Sequence, residues 1–268
     1  MGLPEEFHRR AEALVRGDTE AWQPSPAVPA ATIILIRDGD SGLEVFLQQR
    51  VGSMKFAAGM FVFPGGRVEE SDRAGTVPWQ PGARSEPFVL PPRPSPMDHF
   101  EAISIAAMRE TWEEAAVVLA SQDRPGPGAD LALSQWLRSE GLSLDAGLVQ
   151  PWIHWVTPEV ERRRYDTRFL VAEVPDRQTA RDLGVESRMS TWAGVAAAIE
   201  AARSGEMPML PPTVDALEQL GAFDKAAAVM LEASGRTPQP KMPVPVLRDD
   251  QVAWRIRDPY DDTDLGAW

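Results

Sequence analysis

The stretch Arg109-Glu110-Thr111-Trp112-Glu113-Glu114, with Phe63-Pro64-Gly65-Gly66 upstream of it, decides how this chain is read. At about 100° per residue, a helix through it brings Glu110, Glu113 and Glu114 within an arc of about 100°, stacked over one turn. The opposite side carries Ile105, Met108, Trp112, Ala115 and Leu119, a stripe apolar enough to face a core. Like charges three and four residues apart repel by roughly 0.2–0.5 kcal/mol per pair. Three carboxylates on one face therefore call for a compensating cation, or for water around each of them. Oxygen-only ligands suit a hard divalent ion such as Mg²⁺ or Mn²⁺. On spacing alone the plainer reading is a solvated acidic helix face.

Outward from this stretch, the patterning predicts a helix over residues 4–16, ended by Gly17, and an extended proline-bearing lead-in. Strands follow over Ala31–Arg37 and Leu43–Gln49, joined by the turn signal Asp38-Gly39-Asp40-Ser41-Gly42. Phe61-Val62-Phe63 is a third short strand. The proline-rich run Ala74–Pro96 has no period and reads as an irregular excursion. The acidic helix is expected over Asp98–Leu119, with Asp98 as N-cap and Glu101 three residues on. A helix over Leu131–Glu140, strands over Trp152–Val156 and Thr167–Val174, and an alanine-rich helix over Thr191–Ser204 come next. Val214–Glu232 then gives two helical segments. From Arg236 onward prolines and acids dominate, and an extended tail lying on the domain is expected.

The quoted residues resemble the box motif of the Nudix hydrolases. Gly66 stands at its first glycine, Asp72 where the family usually has Glu, and Arg109, Glu110, Glu113 and Glu114 match directly. Ala116 replaces the closing glycine, and 36 residues, Arg73 to Met108, separate Asp72 from Arg109 where the family pattern has a short spacer. Such an interruption is known in the subgroup that includes the mammalian peroxisomal coenzyme A diphosphatase. The likeness extends through Phe46-Leu47-Gln48-Gln49-Arg50, Met60 to Gly66, Trp155-Val156-Thr157-Pro158 and Tyr165-Asp166-Thr167-Arg168-Phe169-Leu170. It implies an α/β fold with a mixed β-sheet between α-helices (α/β/α). The Nudix domain would span 1–235, with the box insertion at about 73–97, and 236–268 would be a C-terminal extension. The implied activity is metal-dependent hydrolysis of the diphosphate of coenzyme A or acyl-coenzyme A to 3′,5′-ADP and 4′-phosphopantetheine. The alternatives are a hydrolase of ADP-ribose, NADH or another nucleoside diphosphate derivative, and a non-catalytic nucleotide-sensing module.

By the same resemblance, Glu110, Glu113 and Glu114 are the ligands of Mg²⁺ or Mn²⁺ and supply the general base, and Arg109 holds them in place. Glu186, just before Ser190-Thr191-Trp192, is a candidate further ligand, set against a plain surface glutamate at a turn. Gly65 and Gly66 would let the backbone pass close to the metal face. Arg50, Lys55 and Arg67 are candidates for a phosphate clamp, set against a solvated basic face. Asp72 either supports the box or caps a turn. The insertion is either a surface loop or a lid or homodimer contact. His8, His99 and His154 show no ligand spacing, and His154 reads as a packed or solvent-facing strand residue. Trp152, Trp155 and Trp192 read as core, and Arg162-Arg163-Arg164 as a solvated turn.

Composition limits the alternatives. The 268 residues include no cysteine, which excludes disulfides, thiolate metal sites and cysteine nucleophiles. A formal net charge of −13 argues against nucleic acid as a partner and leaves a small anionic substrate that local cations and metal would neutralise. No segment approaches the roughly 18 apolar residues of a membrane span, and no apolar run resembles a signal peptide. A cytoplasmic protein with no membrane partner is the expectation.

Overall fold

The computed structural model describes residues 5–52, 57–73, 77–80, 96–181, 183 and 187–267. The chain begins with helix α1 (Glu5–Arg16), strands β1 (Ala27–Gly39), β2 (Gly42–Arg50), β3 (Phe61–Val62) and β4 (Gly65–Arg67), and the single turn α2 (Glu70–Arg73). Strand β5 (Trp79–Gln80), the long helix α3 (Pro96–Ala115), helix α4 (Leu133–Glu140) and strands β6 (Leu144–Asp145), β7 (Gln150–Val156), β8 (Arg164–Glu173) and β9 (Ser187–Gly194) follow. Helices α5 (Val195–Ser204), α6 (Pro211–Leu220) and α7 (Ala226–Gly235) precede strands β10 (Pro240–Arg248), β11 (Gln251–Arg257) and β12 (Asp264–Ala267). Two compact units result. The larger is Ala30–Trp152 with Arg168–Thr237; the smaller gathers the N-terminal segment to Pro29, Ile153–Thr167 and the stretch from Pro238.

In the larger unit β1 and β2 form a hairpin, from Ile36↔Val45 to the turn pair Gly39↔Gly42. Ile33 to Ile36 are all fully buried, so β1 reads as a continuous apolar run rather than an alternating one. β4 lies antiparallel on β1 (Ala31↔Gly66), while β9 (Phe46↔Trp192) and β3 (Gln48↔Val62) lie on β2. Ala31, Ile33, Leu35 and Phe46 pack against the apolar stripe of α3, where Ile105, Met108, Trp112 and Ala115 are each fully buried. Complete burial of one such side chain contributes roughly 1.5–3 kcal/mol, so the stripe fixes which face α3 turns outward.

Several boundaries differ from the sequence expectation. α3 begins at Pro96, where the missing N–H costs nothing, so Asp98 lies inside the helix rather than capping it. It ends at Ala115, not Leu119: Ala116 takes the left-handed conformation at φ 55°, and Val117 to Leu119 continue as buried, non-helical chain. Residues 187–194, expected partly as helix, form β9, and only Val195–Ser204 is helical.

The smaller unit has its own apolar contacts, among them Phe7, Ala11 and Val160 with Trp254, whose ring stacks on Phe7 at 5.1 Å. The expected tail is not simply extended chain. β10 and β11 pair antiparallel from Met242↔Arg257 to Arg248↔Gln251, β12 joins β11, and β10 starts parallel to β7 at Pro240↔His154. Pro243 and Pro245 are tolerated because residues two apart point their missing donors to one edge of the strand. His154 is buried and shares a 2.6 Å contact with Asp166, whose second oxygen accepts from Tyr260 Oη at 2.6 Å. Arg164 is also not part of a solvated turn. It is 9% exposed and donates to the carbonyls of Thr157 and Ser25 at 3.0 and 2.7 Å.

Candidate active site

Three segments of the larger unit build the site. β4 brings Gly65, Gly66 and Arg67, the turn of α2 brings Asp72, and the last turn and a half of α3 brings Arg109, Glu110, Glu113 and Glu114. Arg109 is the hub. Its Nε and Nη2 donate to the two carboxylate oxygens of Asp72 at 3.0 and 3.1 Å, its Nη1 to Glu110 at 2.9 Å and Glu113 at 3.1 Å, and Nη2 also to the carbonyl of Arg67 at 3.1 Å. Asp72 is 1% exposed and accepts a further bond from the Glu69 N–H at 2.8 Å. Asp72 is therefore the buried anchor of the guanidinium, a role its sequence position left open against simple turn capping.

The glycines are set by close approach. A Cβ built on Gly66 would run into the carboxylate of Glu110, and one on Gly65 would stand 2.6 Å from the carbonyl oxygen of Ala31 and 2.8 Å from Cα of Thr32. The Gly65 N–H in turn donates to Glu114 Oε2 at 3.1 Å. Gln48 of β2, absent from the sequence-based candidates, donates from Nε2 to the main-chain carbonyl of Glu114 at 2.9 Å. The signal that could have found it is a glutamine in the buried row Val45-Phe46-Leu47-Gln48.

Three carboxylates (Asp72, Glu110 and Glu113) thus close on one guanidinium, while Glu114 is held by the Gly65 N–H. Burial pushes the Glu110 carboxyl up to about 7 against the opposing pull of Arg109, and Glu113 is raised by burial in the same way. Burial works to depress Arg109, but the Asp72 hydrogen bond and the surrounding carboxylates leave it above the ordinary guanidinium range. Among the described residues no three acidic or imidazole side chains converge as ready metal ligands. Glu110 and Glu113 close on Arg109, and Glu114 on Gly65. The donor chemistry nonetheless fits a hard divalent cation: oxygen ligands only, in excess of positive charge.

Of the basic candidates, Arg67 is exposed on β4 and Arg50 is half-buried at the end of β2. Lys55, Glu186 and residues 81–95 of the insertion lie outside the described residues. Trp152 and Trp155 are buried as expected, whereas Trp192 is half-buried beneath the Arg37 guanidinium, 4.2 Å from its ring.

No protein-family model matches the chain. A solved structure of a Nudix hydrolase from Alicyclobacillus acidocaldarius is 30% identical, with a TM-score of 0.64 and a match covering 77% of this chain and 96% of that one. The chain belongs to the Nudix hydrolases. Its architecture is the α/β Nudix fold, with the glutamate helix brought against the glycines of β4. The acyl-coenzyme A diphosphatase NUDT19 of Gallus gallus is 29% identical over a match covering 65% of this chain and 60% of that protein. This Nudix chain thus spans less than two thirds of the length of that curated relative. Among the described residues no helix is long and apolar enough to cross a membrane.

Proposed function

We propose that this Nudix chain hydrolyses the diphosphate of coenzyme A or acyl-coenzyme A, releasing 3′,5′-ADP and 4′-phosphopantetheine. The observation that carries the hydrolytic reading is the Glu110–Glu114 turn, where one guanidinium holds Glu110 and Glu113 and the Gly65 N–H holds Glu114 against a glycine wall. The likeness to the Gallus gallus acyl-coenzyme A diphosphatase supports the choice of substrate.

Water adds to one phosphorus, the bridging P–O bond breaks, and each product leaves with its own phosphate. Glu110, Glu113 and Glu114 would hold Mg²⁺ or Mn²⁺, with Glu186 a candidate further ligand. The bound ions would neutralise phosphate charge and lower the pKa of the attacking water. One of the three glutamates takes the proton that the water loses. Arg109, fixed by Asp72, orients Glu110 and Glu113 and stays off the substrate. Arg67, exposed one residue beyond the Gly66 wall, and Arg50 would meet the phosphates, with Lys55 assigned to the same clamp. Gly65 and Gly66 let β4 pass close to β1 and to Glu110, where a Cβ would collide.

The test is product analysis by mass spectrometry on coenzyme A, acetyl-coenzyme A, dephospho-coenzyme A, ADP-ribose and NADH, each with and without Mg²⁺ or Mn²⁺. Metal-dependent cleavage favouring coenzyme A is expected. Preference for another member would keep the chemistry and replace the substrate. Nucleotide binding without turnover would make the chain a sensing module.

A further inference from the structure

We propose that Gln48 is a positioning residue for Glu114, fixing the main chain of the last box glutamate from the sheet; this rests on the reading of the Glu110–Glu114 turn as a metal-dependent site. A helix leaves its last four carbonyls without intrahelical donors, and where they are buried they need partners from elsewhere. α3 stops at Ala115, and the chain leaves it through a left-handed alanine instead of the glycine that makes such an exit strain-free. Two distant donors hold this end. The Arg181 N–H bonds the Ala115 carbonyl at 3.0 Å, and Gln48 Nε2 bonds the Glu114 carbonyl at 2.9 Å.

Gln48 sits two residues from Phe46 on β2, on the same face, and Phe46 packs in the core that α3 covers. An apolar residue would fill that row at no polar cost. A glutamine that is 4% exposed there is tolerated only because its amide has a partner. The same glutamate is gripped at its other end, where Gly65 N–H bonds Glu114 Oε2 at 3.1 Å. Main chain and carboxylate are thus tied to β2 and β4 respectively. Glu114 takes its place relative to Glu110 and Glu113 from the sheet, not from a last helical turn that would otherwise fray.

The test is Gln48→Met, which keeps the volume and removes the donor, read by Mn²⁺ titration with electron paramagnetic resonance and by kcat and KM on coenzyme A. Mn²⁺ affinity is expected to fall about tenfold, with kcat following and KM little changed, the size typical of groups that orient metal ligands. Gln178→Met is the control. Gln178 is likewise a buried glutamine, but its side chain bonds the N–H and carbonyl of Val118 at 2.8 and 2.9 Å and Asp123 at 3.2 Å instead of a box residue. It should lower the melting temperature and leave Mn²⁺ affinity intact. Parental Mn²⁺ affinity in Gln48→Met, or an equal loss in Gln178→Met, overturns the role of Gln48 while the site reading stands. If Gln48→Met does not fold, the Gln48 side-chain amide is followed by NMR in the parent protein during Mg²⁺ addition. A shift supports the role and an invariant signal overturns it. Failure of the parent protein to bind Mn²⁺ at all removes the site reading and this inference together.

Discussion

The α-carbon of Gly66 lies so close to the Glu110 carboxylate that a methyl group on it would occupy the same space. Glu110 cannot simply swing aside, because Arg109 Nη1 holds it at 2.9 Å. Gly66→Ala should therefore reduce kcat/KM by about 100-fold or more while melting within a few degrees of the parent, because what it displaces is a side-chain end. Gly65→Ala meets backbone at Ala31 and Thr32 instead, and should also lose about 1–3 kcal/mol of stability. Paired melting curves and steady-state kinetics on the two variants separate these outcomes.

Asp72→Asn leaves the Arg109 guanidinium without its buried counter-charge and should destabilise the protein by about 3 kcal/mol or more. Denaturant unfolding measures this directly. Retention of full stability would show that Glu110 and Glu113 alone suffice to hold Arg109.

The metal-free protein should lose stability as pH rises. Glu110 titrates near 4.5 when unfolded and at about 7 when folded, so the folded state holds a proton that the unfolded state releases first. Its contribution is complete below about pH 4.5 and vanishes as pH passes 7; Glu113, raised in the same direction, adds to the slope. The effect is on the order of 3 kcal/mol across that window. Glu110→Gln, which has no proton to lose, should flatten the dependence of melting temperature on pH between 5 and 7. An unchanged slope would place the linkage elsewhere.

Ala116 carries a methyl group in a backbone conformation that costs an L-residue roughly 1–2 kcal/mol. Ala116→Gly, the family's usual residue there, should be neutral to within about 1 kcal/mol, since relief of strain offsets a lost buried methyl. Ala116→Val adds a β-branch at positive φ and should unfold at markedly lower denaturant. Equal stability for all three would mean that the exit from α3 rearranges freely.

The face of the glutamate helix was legible because a single period governs both its sides: the carboxylates lie outward and Ile105, Met108, Trp112 and Ala115 inward. The end of that helix was not legible, since Ala116-Val117-Val118-Leu119 extends the apolar pattern and nothing in an alanine announces a positive φ. The anchoring of Arg109 by Asp72 was half visible, as a carboxylate at a motif position, but only the fold brings the two together. The role of Gln48 is not legible in sequence because its partner is a backbone carbonyl, which carries no residue signature. In the smaller unit, Arg164 looked like one of three solvated arginines, yet its fork fits two main-chain carbonyls. The strands after Pro240 were masked by prolines that only the pairing pattern explains.

The Asp72–Arg109 fork has one more consequence, for how such a chain can change over time. The two residues are separated by 36 others, yet the fork closes that span at a fixed point, so the residues ahead of α3 need not carry the geometry of the site themselves. Chain entropy charges little for length: each doubling of a flexible loop adds only about 0.6 kcal/mol. The interruption of the motif is accordingly a place where sequence can be gained, lost or exchanged while the chemistry on either side is inherited intact.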